Sequence, residues 1–239
     1  MTTAVTFQHV SRHFGQVRAV DDVSLDIAEG EFFALLGPSG SGKTTCLRLI
    51  AGFEQPSSGH IEIFGATAEG VPPYRRNVNT VFQDYALFPH MTVLENVILS
   101  AMFGGAAMSR PRATEEAKRC LEFTGLAHKA DSLPDDLNLH QRKFLELARA
   151  LAARPRLVLL DEVLSGMTPS EIDEAIVLIR RIRDQGATIV FVEHVMRAVM
   201  ALCDRVAVLN HGKLIAVGPA KQVMSDPQVV SAYLGKPHA

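Results

Sequence analysis

The 239-residue chain lacks a large excess of charge and has only three cysteines. With 24 basic and 26 acidic side chains its formal net charge is −2. It therefore lacks the basic footprint of nucleic-acid-binding proteins, and we expect no nucleic-acid partner. Cys46, Cys120 and Cys203 lie far apart in the sequence. Their odd number and wide spacing fit no metal motif and indicate a reducing compartment.

Long apolar runs are also missing. No uninterrupted stretch approaches the ~20 residues that a membrane-spanning helix needs. The first ten residues lack the basic start and apolar core of a secretory signal. We therefore expect a cytoplasmic protein whose link to a membrane comes through a partner. The chain shows no internal repeat, and its 47% hydrophobic and 21% charged residues are typical of a globular protein.

Apolar patterning predicts an α/β protein. Strands are predicted in the first third of the chain at residues 5–10, 24–27, 31–36, 60–64 and 78–82. Helical spacing follows at residues 93–102, 113–123 and 140–152. The last third alternates strands at 156–160, 188–192, 205–210 and 213–217 with helices at 170–185 and 195–202, and Ser170 is the predicted N-cap of the first of these helices. This alternation implies a mostly parallel sheet covered on both faces.

The most specific motif lies between the apolar strand at residues 31–36 and a helical pattern. It reads Gly37-Pro38-Ser39-Gly40-Ser41-Gly42-Lys43-Thr44, followed by Thr45, and it matches the phosphate-binding P-loop in full. The glycines let the backbone wrap around a polyphosphate with its N–H groups inward, and the helix N-terminus faces the same anion. Lys43 would add a charge at the β- and γ-phosphates, and Thr44 would offer its hydroxyl to Mg²⁺.

Polar residues follow three other predicted strands. Asp161, at the end of an apolar run, can hold Mg²⁺, and Glu162 can orient and deprotonate an attacking water. His194 and Gln83 also follow strands, where α/β sheets bind ligands. Gln83 would sense the metal and the γ-phosphate, whereas Glu193 is interpreted as structural or solvated. Taken alone, the acidic pair and the histidine are equally consistent with helix capping.

These positions together resemble the ATP-binding subunit of an ATP-binding-cassette (ABC) transporter over essentially the whole chain. In order and spacing, Gln83 matches the Q-loop glutamine, Asp161 the Mg²⁺-binding aspartate, Glu162 the catalytic glutamate and His194 the switch histidine. Phe14 matches the aromatic residue that stacks on adenine. The resemblance implies an ATPase with ATP and Mg²⁺ as cofactors, the metal being held by Thr44, Gln83 and Asp161.

The resemblance also implies the architecture of a P-loop NTPase. We expect a mostly parallel sheet, an antiparallel β subdomain and an inserted helical subdomain. Residues 1–239 would form a single cassette, with a nucleotide-binding core at 1–85 and 153–239 and the helical subdomain at 86–152.

The likeness within the family is mixed. Residues 80–97 look like polyamine- and ferric-iron-type importers, whereas residues 164–169 and 192–196 look like branched-chain amino-acid importers. The polyamine type usually carries a further C-terminal barrel, which the residues after Leu234 are too few to form. We therefore expect import of branched-chain or other amino acids. The implied partners are transmembrane permease subunits, which would hold the chain at the inner face of the cell membrane, and a second cassette, identical or different.

The family's signature sequence is altered in this chain. Leu137-Asn138-Leu139-His140-Gln141 stands where the family has Leu-Ser-Gly-Gly-Gln, which binds the γ-phosphate held by the opposite subunit. Asn138 can replace the serine hydroxyl as a donor, and Asn138 and Gln141 are both predicted to contact ATP. Leu139 and His140 add side chains where close backbone approach is needed. Thr168 also replaces a common aspartate, so what this chain offers its partner is predicted to be weakened.

Two alternatives stay open at this point. One is a soluble ABC ATPase that acts as a mechanical switch in DNA repair or translation, against which the absence of basic arms and of a coiled coil argues. The other is a weakly catalytic regulatory cassette that is paired with an active partner.

Overall fold

Two β-sheets organise the computed structural model, which describes residues 2–81, 87–104 and 107–234. The smaller sheet is antiparallel and consists of β1 (Thr3–Phe14), β2 (Val17–Ala28), β4 (Ser58–Ile63) and β5 (Ala66–Thr67). Its strand order is β2-β1-β4-β5. It is the antiparallel part that the resemblance implied.

The larger sheet is mostly parallel. It consists of β3 (Phe32–Leu36), β6 (Val78–Val81), β7 (Leu157–Asp161), β8 (Thr188–Val192), β9 (Arg205–Asn210) and β10 (Lys213–Pro219). Within the described residues the order is β10-β9-β3-β8-β7-β6, and only β10 runs antiparallel to its neighbour. Every residue of β3, β7 and β8 is buried, which explains their continuous apolar sequences.

Eight helices are assigned in the described part of the chain. They are α1 (Lys43–Ala51), α2 (Val93–Phe103), α3 (Arg110–Phe123), α4 (Leu139–Ala152), α5 (Pro169–Arg183), α6 (Met196–Leu202), α7 (Ala220–Val223) and α8 (Pro227–Leu234). Helices α2, α3 and α4 follow one another between β6 and β7 and pack together. The residue boundaries predicted for the core and the helical subdomain stay a prediction.

Apolar cores cover both faces of the larger sheet, as the alternation of strands and helices predicts. Phe32 and Phe191 belong to the core shared with α2–α6, and their rings meet edge to face with centroids 5.5 Å apart. Phe33 and Val190 point to the opposite core, which includes α1 and the antiparallel sheet. Full burial of one such side chain contributes about 1.5–3 kcal/mol.

The N-terminus of α5 differs from the prediction. Its N-cap is Thr168 rather than Ser170, and the cap is a reciprocal pair. The Thr168 hydroxyl accepts from the Glu171 amide at 3.4 Å, and the Glu171 carboxylate accepts from the Thr168 amide at 2.7 Å. Thr168 thus caps a helix at the position where the family often has an aspartate.

The C-terminus of α1 is fastened by a buried arginine. The Arg76 guanidinium donates to the carbonyl oxygens of Leu49 and Ile50, both at 2.8 Å, and of Ala68 at 2.6 Å. These carbonyls include the negative end of the α1 dipole, where a cation is favoured. Gly52 ends the helix in the left-handed region, with a φ of 88°.

The helices of the described residues differ from membrane-spanning segments. None of the helices there has both the length and the apolar character needed to cross a bilayer.

Candidate functional site

The P-loop joins the end of β3 to the start of α1. Gly37, Gly40 and Gly42 have φ values of 145°, 75° and 106°, a region that side chains rarely adopt. A Cβ at Gly37 would lie 2.1 Å from the Leu209 carbonyl oxygen, and one at Gly42 would lie 2.3 Å from that of Ala19. Both glycines are therefore required by backbone packing, and the loop they form is a cradle for an anion.

Polar groups of the cradle turn inward. The Lys43 ammonium donates to the carbonyls of Gly37 at 2.8 Å and Pro38 at 2.9 Å. Burial lowers the pKa of Lys43, although the charges of Glu162 and Asp161 act in the opposite direction. The Ser41 hydroxyl is buried and has no hydrogen-bond partner in the described part of the chain. A buried hydroxyl of this kind is usually satisfied by a ligand or a water.

A cavity of about 400 Å³ opens beside this loop. It is lined by Phe14, Val17, Arg18, Ala19, Gly40, Ser41, Gly42, Lys43, Thr44, Thr45 and His211. Phe14 is 44% exposed, and the Arg12 guanidinium lies 4.5 Å from its ring centroid. The structure thus places the predicted aromatic residue and the predicted phosphate loop in one cavity. His211 was missed by the sequence analysis because it lies at the tip of the β9–β10 turn, far from the motif in sequence.

Asp161 and Glu162 end β7 at the same edge of the sheet. Parallel strands bring their carboxyl ends to one edge, so β3, β7 and β8 deliver the P-loop, the acidic pair and His194 together. Asp161 is 8% exposed. Burial, and then the charge of Glu162, raise the pKa of Asp161 to about 6.

Glu162 has a strained backbone. Its φ is 49°, which is uncommon for a residue other than glycine, and its amide donates to the Val192 carbonyl at 2.9 Å. That hydrogen bond ties the turn after β7 to the end of β8. Strain of this type is frequent at functional sites, where the surrounding structure fixes it.

The other predicted site residues have different positions. Gln83 lies outside the described residues. His194 follows β8 and is exposed, whereas Glu193 beside it is buried. Glu193 was interpreted as structural or solvated, and its burial and hydrogen bonds agree with a structural role. The sequence analysis missed the hydrogen bond from the Leu164 amide, because Leu164 lies 29 positions earlier in the chain.

Asn138 and Gln141 lie at the N-terminus of α4. Asn138 is the N-cap of α4, and its Oδ1 accepts from the Gln141 amide at 2.8 Å. Gln141 Oε1 in turn accepts from the Asn138 amide at 3.1 Å. Leu139 is 43% exposed and lies against Gly166, and the His140 ring packs on Phe144 with centroids 4.0 Å apart. Both predicted ATP ligands therefore serve first as a capping box, and their contact with nucleotide stays a prediction.

Comparison with protein families gives two matches. Residues 20–165 match the family described as "ABC transporter". Residues 213–239 match a family described as "Branched-chain amino acid ATP-binding cassette transporter".

Curated relatives and a solved structure give the same family. The chain is 44% identical over 238 residues to the uncharacterized ABC transporter ATP-binding protein YdcT of Escherichia coli K12, covering 98% of this chain and 70% of that protein. It is also 44% identical over 232 residues to the spermidine/putrescine import ATP-binding protein PotA of Pseudomonas aeruginosa UCBPP-PA14, covering 96% of this chain and 63% of that protein. Among solved structures, the ADP conformation of MJ1267, an ATP-binding cassette of an ABC transporter, matches with a TM-score of 0.88 and 27% identity, covering 99% of this chain and 100% of that one.

The family match, the relatives and the fold agree with the geometry of the P-loop and of the acidic pair. The chain spans about two thirds of the length of these curated relatives. It belongs to the ABC transporter family, as one of the ATP-hydrolysing cassettes of that family.

Proposed function

We propose that this chain couples ATP hydrolysis to solute import, as a cytoplasmic subunit held at the inner face of the membrane by permease subunits. The observation that carries the proposal is the convergence of the P-loop, the acidic pair and His194 at one edge of the parallel sheet. That edge is where open α/β sheets bind their ligands.

ATP binding is proposed for the cavity beside the P-loop. The adenine would stack on Phe14, and the phosphates would lie on the inward N–H groups of residues 37–45. Lys43 would exchange its two carbonyl acceptors for phosphate oxygens, and the buried Ser41 hydroxyl would gain the partner it lacks. Charge-assisted contacts of this type contribute about 1.5–3 kcal/mol each.

The residues present fit a magnesium ion. The Thr44 hydroxyl and the Asp161 carboxylate would hold it, with Gln83 as a further ligand, and the ion would neutralise charge on the phosphates. The raised pKa of Asp161 records the cost of a buried carboxylate beside Glu162, and a divalent cation at this position would offset that cost. Glu162 would orient and deprotonate the attacking water, and His194 would contact the γ-phosphate from the end of β8.

A second cassette and a permease complete the proposed assembly. Two cassettes would sandwich ATP, with α4 of one facing the P-loop of the other. The permease would dock near the segment of Gln83, Leu87 and Phe88. Beside Phe88, a groove of about 300 Å³ is bordered by Phe53 and Tyr74, which are 54% and 79% exposed.

We infer a small nitrogen-containing solute. Branched-chain or other amino acids are the first candidate, because the match to the branched-chain family covers residues 213–239 and the sequence at 192–196 has the same likeness. Polyamines are the second candidate, because a relative at 44% identity is named for spermidine/putrescine import. Uptake of labelled leucine and labelled spermidine into cells that lack the gene, with and without the chain restored, separates the two candidates.

The catalytic assignment is tested by comparing Glu162→Gln with the parent. We expect hydrolysis to fall about 10²–10⁴-fold, because a positioned general base is lost. Affinity for ATP, measured by direct titration, should stay within twofold. Lys43→Ala should instead weaken ATP binding about 10- to 150-fold, the equivalent of 1.5–3 kcal/mol.

Two exposed positions on α3 provide the controls. Glu122→Gln and Lys118→Ala make the same chemical changes outside the site and should match the parent in both assays. Parent-like turnover by Glu162→Gln would remove Glu162 from its role, and unchanged affinity in Lys43→Ala would misplace the phosphate site.

A further inference from the structure

One buried carboxylate holds two loops of the site together. Glu193 is 1% exposed. Its Oε1 accepts a hydrogen bond from the Leu164 amide at 2.7 Å, while Oε2 accepts from the amides of His194 at 3.1 Å and Val195 at 3.4 Å. The turn that follows Glu162 and the backbone that carries His194 are thus attached to opposite oxygens of one side chain.

A buried lysine holds the same turn from the other side. Lys143 lies on α4 and is 6% exposed, and its ammonium donates to the Ser165 carbonyl. Burial lowers the pKa of Lys143, while the charge of Glu193 acts against that effect. Two consecutive residues of the turn, Leu164 and Ser165, therefore form hydrogen bonds with two buried groups of opposite charge. These groups are the Glu193 carboxylate, which follows β8, and the Lys143 ammonium on α4.

Burying the charges of Glu193 and Lys143 is an unfavourable way to stabilise the fold alone. Removing a carboxylate and an ammonium from water costs several kcal/mol each before their partners offset it, and apolar residues of similar volume often serve equally well. Burial raises the pKa of Glu193 in spite of its three N–H donors, which is a sign of that cost. What the charges add is a fixed geometry, because charge-assisted hydrogen bonds are short and directional.

We propose that Glu193 is a positioning residue for ATP hydrolysis, which with Lys143 makes α4, the turn at residues 163–168 and His194 move as one unit. The inference rests on the proposed function. In the proposed pair of cassettes, the start of α4 would face the nucleotide of the partner cassette, whereas His194 would face the nucleotide of this chain. A displacement of α4 would thus pass through the Ser165 carbonyl and the Leu164 amide to Glu193, and from there to His194.

The chemistry of the side chain makes the proposal specific. A carboxylate offers an acceptor on each side, whereas the amide of Gln offers one acceptor and one donor. In Glu193→Gln, one of the two loops would therefore face an N–H group in place of an oxygen and would lose its attachment at unchanged side-chain volume.

The first test is kinetic. We expect Glu193→Gln to lower kcat at least tenfold while KM and the ATP dissociation constant stay within twofold, since the P-loop is untouched. Lys143→Met should lower kcat in the same way, and the double variant should be no slower than the slower single variant, because both changes break one connection. Glu122→Gln is the matched control. A parent-like kcat in Glu193→Gln, or multiplicative losses in the double variant, would overturn the proposal.

The second test needs neither nucleotide nor turnover. Amide hydrogen exchange of the nucleotide-free chain should rise at residues 163–168 and 193–195 together in Glu193→Gln, and at residues 163–168 in Lys143→Met, while β3 and α1 keep their protection. A uniform rise along the chain would mean general destabilisation and would contradict the proposal. A parent chain that never hydrolyses ATP would overturn the proposed function, and the exchange pattern would still decide whether the two loops are coupled.

Discussion

Asp161 carries a charge that the nucleotide-free fold holds at a cost. Its pKa is raised from 3.8 to about 6, first by burial and then by the charge of Glu162, while Arg48 and Lys43 pull in the other direction. A carboxyl whose folded-state pKa lies above its unfolded-state value destabilises the fold when ionised. The penalty is therefore complete above about pH 6 and disappears as the pH falls towards 4.

The residue-scale prediction is that Asp161→Asn stabilises the nucleotide-free chain at pH 7.5. The gain should be about 1–3 kcal/mol, because the amide keeps the shape and removes the charge. It should shrink at pH 5, where the Asp161 carboxyl of the parent is largely protonated. Urea unfolding of both chains at the two pH values measures the difference.

The pH comparison also involves Glu116 and needs a control at an exposed position. The pKa of Glu116 is lowered to about 2 by its hydrogen bonds and ion pairs with Arg119 and Arg154. The ionised Glu116 therefore stabilises the fold above about pH 4.5 and loses that effect only as the pH falls from 4.5 towards 2, below both pH values of the comparison. Asp131→Asn, at an exposed position, is the control and should leave stability unchanged at both pH values. A parent that is at least as stable as Asp161→Asn at pH 7.5 would contradict the assignment.

At the scale of elements, α1 depends on the fit between Gly52 and Arg76. A Cβ at Gly52 would lie 2.6 Å from the Arg76 Nε, and Arg76 cannot withdraw without leaving the carbonyls of Leu49 and Ile50 unpaired. Gly65 has a similar φ, 75°, but its Cβ would meet open space. Comparing alanine substitutions at Gly52 and Gly65 therefore separates the free-energy cost of the backbone conformation from that of the steric clash with Arg76.

We expect Gly65→Ala to destabilise the chain by about 1 kcal/mol, the conformational cost of a left-handed residue. Gly52→Ala should cost at least about 2 kcal/mol more, because the Arg76 hydrogen bonds are strained as well. For a chain of this size, thermal unfolding should show a further decrease in Tm of several degrees for Gly52→Ala. Equal decreases for the two variants would mean that Arg76 does not confine Gly52.

Elements defined by local signals could be predicted from the sequence. The strands Thr188–Val192 and Arg205–Asn210 have the predicted bounds, because a short apolar run between turns is a local property. The N-cap of α5 was predicted wrongly at Ser170. The spacing of Thr168 and Glu171 already contained the capping-box signal that identifies the true cap.

Features made by distant residues could not be predicted. The acceptors of Arg76 lie up to 27 positions earlier in the chain, and the Leu164 donor of Glu193 lies 29 positions earlier. Neither pairing leaves a periodic pattern. The left-handed Glu162 is likewise invisible in sequence, because the Val192 carbonyl of the neighbouring strand helps to fix it. The chemical groups of the site were thus predictable, whereas the contacts that position them depend on tertiary structure.

At the scale of the whole molecule, the two surfaces proposed to contact ATP differ in how closely they match the family's sequence. On the P-loop side, Gly40, Gly42, Lys43 and Thr44 line one cavity. The start of α4 keeps the helix N-terminus through the Asn138 cap, which preserves the backbone donors of the first turn. Leu139 and His140 nevertheless place side chains where the family has glycines, and both are packed in this chain, on Gly166 and Phe144.

The last prediction follows from this asymmetry. In a homodimer, each γ-phosphate would meet an intact P-loop and an altered signature, and the loss of one donor to developing charge costs about 10²–10³-fold in comparable sites. We therefore expect weak ATPase activity for the isolated chain and a rise in activity with a partner cassette that carries the full signature. The triple substitution Asn138→Ser, Leu139→Gly and His140→Gly should raise the ATPase rate of the isolated chain, because the γ-phosphate could then approach the backbone of the first turn of α4 closely. Asn138→Ser alone is the control, because it leaves both obstructing side chains in place and should change the rate little. Rapid turnover by the unmodified chain that the triple substitution leaves unchanged would show that the Asn138 cap and the helix N-terminus suffice, and the chain would then need no second type of cassette.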